Sequence, residues 1–173
     1  MSKQFWAVVI VVILALVGIF AFTGKNSTNS NSSTASAQPT SHFKGQGTSG
    51  VTLVEYGDYQ CPACGQYYPI VKQVEAKYGD ALRIQFRNFP LVNAHQNAFS
   101  AARAAEAAGL QNKFWEMHDV IYVNQSQWST SNNSSQIFDQ YASQLQLDIT
   151  KFKQDYSSIK VNDLINADSA AGT

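Results

Sequence analysis

A chain of 173 residues has room for one globular domain of ordinary size and an appendage. Twelve basic residues balance twelve acidic ones, so no polybasic field exists to draw nucleic acid, and nucleic acid is not expected as a partner. Apolar residues make up 45%, as in a folded protein, while two cysteines are too few to staple a small secreted scaffold.

Residues 5–22, FWAVVIVVILALVGIFAF, carry no charge and match the length that spans a hydrocarbon core. Lys3 and the amino terminus precede the run and Lys25 follows it, a bias that favours a cytoplasmic amino terminus and an exported remainder. A cleaved signal peptide is the alternative. The small-residue pattern ASA at 35–37 lies well beyond the apolar run, so an uncleaved transmembrane anchor over 1–24 is expected. Residues 25–50 are rich in Ser, Thr and Asn and cannot bury enough apolar surface to offset their ordering entropy. They read as a flexible tether, with the folded domain over 51–173.

Within that domain, VTLVEYG at 51–57 is β-rich and apolar and predicts a buried strand. From Pro62 to Tyr78, apolar residues recur at three- and four-residue spacings, which predicts a helix that Gly79-Asp80 ends and Pro69 kinks. ALRIQFRNFP at 81–90 alternates Leu82, Ile84 and Phe86 with Arg83, Gln85 and Arg87, which is strand periodicity. Strand, helix and strand at these lengths make a βαβ unit with parallel strands. Only helices are expected afterwards: Asn93–Ala108, KFWEMHDVIYVNQ, Ser134–Leu145, a helix capped by Asp148, and one around Val161–Ala170. The stretch NQSQWSTSNNSS reads as a polar loop. Phe114, Trp115 and Trp128 are expected as core or loop anchors, and His95 and His118 as packing or hydrogen-bonding residues.

The two cysteines stand together, in YGDYQCPACGQYYP. A thiol needs to ionise to attack, and its free pKa is roughly 8.5. Cys61 follows a strand and precedes Pro62, a residue suited to a first helical turn, so unpaired N–H groups and the helix dipole face its sulfur. Cys64 falls one turn later. One activated sulfur and a second that closes on it are the parts of thiol–disulfide exchange. Zinc would need more ligands, and His42, His95 and His118 are scattered, with His42 in the tether. Haem attachment would need histidine where Gly65 stands. A structural disulfide stays open as a rival, although so short a loop restrains the unfolded chain little. Under that rival the chain is a tethered, non-catalytic binding domain.

The motif VTLVEYGDYQCPACGQYYPIV resembles the active-site region of the DsbA-like branch of the thioredoxin superfamily. The similarity continues through RIQFRNFPL, HQNAFSAARAAEAAG, KFWEMHDVIY and LDITKFKQD. The resemblance implies an α/β thioredoxin-like fold with a helical insertion, and an exported thiol–disulfide oxidoreductase that forms disulfides in substrate proteins carrying free thiols. Cys61 matches the nucleophile and Cys64 the resolving thiol, with Pro62 and Ala63 as the dipeptide that tunes potential. Glu55 matches a buried acid that relays protons, or else is a satisfied edge carboxylate. No cofactor beyond the Cys61–Cys64 pair and no metal is implied. A membrane or envelope redox partner is implied, and the membrane itself is engaged through residues 5–22, with the catalytic domain on the extracytoplasmic side. Two departures point to a less oxidising protein: Ala63 replaces a histidine of the strongest oxidants, and Asp58 precedes Cys61 by three residues. A reductase or isomerase role is the alternative. The family completes its sheet with two more strands and a final helix after a cis-proline loop. No proline follows Pro90 here, and the chain is expected to be a fragment that lacks them.

Overall fold

A computed structural model describes residues 37–173, so the expected anchor over 5–22 and the first part of the tether lie outside the described residues. Strands run over His42–Lys44 (β1), Val51–Gly57 (β2) and Leu82–Asn88 (β3). Helices run over Pro62–Tyr78 (α1), Ala98–Gly109 (α2), Phe114–Val123 (α3), Gln125–Trp128 (α4), Ser134–Gln144 (α5), Ile149–Tyr156 (α6) and Ile159–Ala171 (α7). Among the described residues, no helix is long and apolar enough to cross a membrane.

The βαβ unit forms as its periodicity predicts, with β2 parallel to β3 in a register that sets Leu53 beside Ile84 and Glu55 beside Phe86. The sheet order is β1–β3–β2, and β1 runs antiparallel to β3. That third strand corrects the expected tether over 25–50. His42 stacks on Phe114 with ring centroids 3.5 Å apart and shares a 2.8 Å hydrogen bond with buried Glu106. Thr40 is also buried, its amide and hydroxyl donating to Asp168 at 2.6 and 2.7 Å. The folded unit therefore begins before residue 51. Hydrogen bonds rather than apolar burial hold this polar segment down, a cause that composition does not register.

β2 was expected to be buried and is not. Val51, Leu53, Val54 and Tyr56 are exposed, because β2 is the edge of the sheet among the described strands. Val51 and Leu53 line a hollow with Val74 and Tyr78 of α1, while Tyr56 reaches the Ala171 carbonyl at the end of α7.

Helices α2 to α6 form an insertion between β3 and α7, and they carry most of the core. Seven alanines of α2 are buried, and small side chains let its neighbours approach closely. Phe114, Met117, Ile121, Trp128, Phe138, Phe152, Val161 and Ile165 fill the space around them. Complete burial of one such side chain stabilises by about 1.5–3 kcal/mol. α2 begins at Ala98 rather than Asn93, since turns occupy most of 92–97. The expected polar loop contains α4, whose Trp128 is fully buried with its indole N–H donating to the Ile121 carbonyl at 2.9 Å. Asp148 caps α6 as expected, accepting from the Lys151 amide at 2.9 Å.

Candidate active site

The chain leaves β2 at Gly57, turns through Asp58, Tyr59 and Gln60, and enters α1 at Pro62. Cys61 is the N-cap of α1 with extended backbone angles, φ −63° and ψ 123°, and its side chain makes no capping bond. Its carbonyl accepts the Gly65 amide at 3.0 Å, which starts the helical ladder. Cys64 sits one turn on. Both are free thiols of intermediate exposure, and the Cys61 side chain is within hydrogen-bond reach of Cys64. Burial pushes the Cys64 thiol up to about 11; a bond to the Asp58 backbone opposes this, and nearby Cys61 and the Asp58 charge add to it. At neutral pH the Cys64 sulfur therefore holds its proton. Pro62 and Ala63, between the cysteines, are exposed.

Glu55 lies half-buried on the α1 face of β2, and desolvation raises its carboxyl above the ordinary range. The phenol of Tyr122 on α3 feels the charges of both Glu55 and the cysteines. That group is almost fully buried and its hydroxyl has no hydrogen-bond partner; burial raises it, and the charges of Glu55, Cys64, Asp58 and Cys61 raise it further.

The turn is clamped by side chains that the sequence reading passed over. Gln125 donates to the Tyr59 and Cys61 carbonyls at 2.7 and 2.9 Å. Gln60 accepts the Asn97 amide at 2.6 Å and donates to the Ser129 carbonyl at 2.7 Å. Asn97 in turn donates to the carbonyls of Trp128, Ser129 and Ser131. Asp58 is buried and accepts the amides of Gln60 and Cys61, the local pattern of an acidic residue two and three positions before its donors. That spacing was visible in the sequence. Nothing in the sequence pairs Gln125 or Asn97 with a turn more than thirty residues away.

His95 bonds Asp58, and His118 is buried among Tyr59, Tyr68, Phe86, Phe114, Trp115 and Tyr122, as hydrogen-bonding and packing roles require. Phe114 and Trp128 lie in the core, and Trp115 packs against it.

A family model described as Thioredoxin matches residues 37–172. Among solved structures, a thioredoxin-like oxidoreductase from Silicibacter pomeroyi is 25% identical, with a TM-score of 0.61 over 76% of this chain and 72% of that one. Wolbachia pipientis alpha-DsbA1 is 20% identical, with a TM-score of 0.67 over 79% of this chain and 69% of the other. A much longer relative, the Na(+)/H(+) antiporter NhaA 1 of Mycolicibacterium gilvum, is 41% identical over 116 residues, which are 66% of this chain. The match spans only 18% of that antiporter's length. The chain belongs to the thioredoxin family and has the DsbA-like form of its fold, with helices inserted between β3 and the last helix.

Proposed function

We propose that the chain is a thiol–disulfide oxidoreductase that forms disulfides in exported substrate proteins, held at the extracytoplasmic face of the cell membrane by residues 5–22. The observation that carries this reading is the placement of Cys61 as an uncapped N-cap with Cys64 one turn later, its proton held by burial.

In the forward reaction a substrate thiolate attacks the Cys61 sulfur of the Cys61–Cys64 disulfide. The S–S bond breaks, and Cys64 leaves with the electron pair and takes a proton; the desolvated carboxyl of Glu55 supports its assignment as the donor. A second substrate thiolate then attacks the substrate sulfur of the mixed disulfide and releases Cys61 as a thiolate. The substrate loses two electrons and the chain gains them; a membrane or envelope partner removes them again. Reduction or isomerisation uses the same steps in other orders. It is favoured by the Asp58 carboxylate on the Cys61 amide, since a negative charge there opposes a thiolate product.

Replacing Cys61 by Ser abolishes disulfide exchange with a dithiol peptide under this reading, and Cys64→Ser accumulates mixed disulfides instead. If Cys61→Ser leaves exchange unchanged, the site lies elsewhere. A tethered binding domain with a structural disulfide would keep its partner and show no exchange even as wild type.

A further inference from the structure

Neither Asp58 nor His95 exchanges a bond or an electron with the sulfurs, yet Asp58 lies in the turn before Cys61 and bonds its amide. Asp58 is 3% exposed, and its two oxygens meet four partners. Oδ1 accepts the Gln60 amide at 2.7 Å and the Cys61 amide at 3.2 Å. Oδ2 accepts the Leu91 amide at 2.9 Å and lies 2.7 Å from Nδ1 of His95, whose side chain is 19% exposed. An amide side chain at position 58 could not accept from all four, because one of its two heavy atoms only donates. The carboxylate thus binds the active-site turn to the 91–95 loop, at the cost of a buried negative charge beside the sulfurs.

That charge reaches the site, raising both Cys64 on α1 and the Tyr122 phenol on α3. Asp58 makes no ion pair with a lysine or arginine among the described residues; its charged partner is His95, and only when that ring is protonated. The His95 ring, partly open to solvent, meets the carboxylate oxygen other than the one that holds the Cys61 amide.

We propose that Asp58 and His95 form a positioning pair for the exchange reaction, in which the carboxylate fixes the Cys61 amide and opposes negative charge on the Cys61 sulfur, while the imidazole offsets that opposition from the far side. The inference rests on the exchange reading of Cys61 and Cys64. It assigns opposite signs to two neighbouring residues, which a role in folding alone does not.

The test measures two quantities in the full chain: the pH profile of Cys61 alkylation and the reduction potential of the Cys61–Cys64 couple. Asp58→Asn shifts the profile to lower pH and makes the couple more oxidising, so alkylation below the profile's midpoint is roughly three- to tenfold faster. His95→Gln moves both quantities the other way by a similar factor. The double variant behaves like Asp58→Asn, because no charge remains for the imidazole to offset. Profiles that stay in place, or that move in the same direction for both single variants, overturn the pair. Should Asp58→Asn fail to fold, His95→Gln decides alone, and an unmoved profile and potential sink the proposal. A wild-type chain with no exchange activity at all is a different result, and it removes the reading of the cysteines themselves.

Discussion

At the scale of single residues, the division of labour is between a sulfur that is presented and one that is withheld. Cys61 stands at the helix tip, where the unpaired amides of α1 favour an anion, while burial keeps Cys64 protonated through neutral pH. Under the proposed exchange reaction, closing the disulfide requires a base for Cys64, and Glu55, its carboxyl raised by desolvation, is the group we assign to that role. Glu55→Gln is expected to slow closure of a mixed disulfide by Cys64 about tenfold or more near neutral pH, with a smaller effect above about pH 11, where Cys64 ionises unaided. Stopped-flow release of a chromogenic thiol from Cys61 follows this step. Gln125→Ala frees the Tyr59 and Cys61 carbonyls and is expected to cost about 1–2 kcal/mol, read by chemical denaturation. The placement of Cys61 at the tip of α1, with Cys64 one turn on, was legible because both lie in one short stretch whose local conformation is set by its own residues. Gln125 and Asn97 were not, since they reach the turn only through the packing of the insertion.

The elements themselves were read well where periodicity was strong. The strand–helix–strand unit, the extent of α1 and the order of helices after Pro90 follow from apolar spacing, and Asp148 is a cap in fact as in pattern. β1 escaped because three residues in a polar setting show no period, and the exposure of β2 escaped because strand propensity does not say which strand is at an edge. His118 on α3 carries a consequence for acid stability. Burial depresses its ionisation, against the pull of Asp119 at 3.1 Å, so the unfolded chain binds a proton that the folded chain refuses. Stability is therefore full above the free histidine value of about 6.5 and falls as pH drops below it, with a slope of up to about 1.4 kcal/mol per pH unit. Denaturation at a series of pH values tests this, and His118→Phe is expected to flatten the slope.

Across the whole described molecule, a buried polar network does what apolar contact does elsewhere. Asp168 on α7, with no exposed surface, receives two bonds from Thr40 and two from Asn88, and Asn88 also donates to Glu106, the partner of His42. The segment before β1, the sheet, α2 and α7 are thus joined at one point. Asp168→Ala leaves several buried donors unpaired and is expected to destabilise the fold by about 3 kcal/mol or more, with Asp168→Asn costing less. No sequence pattern relates Thr40 to Asp168, which are 128 residues apart. The thioredoxin character of the fold was legible through its motifs, whereas the point at which the folded unit begins was not. The most direct test of the central claim is site-resolved alkylation of the reduced chain at neutral pH, followed by peptide mapping. Cys61 is predicted to react at least about tenfold faster than both Cys64 and a thiol in an unstructured peptide. A Cys61 that reacts no faster than either would contradict the account.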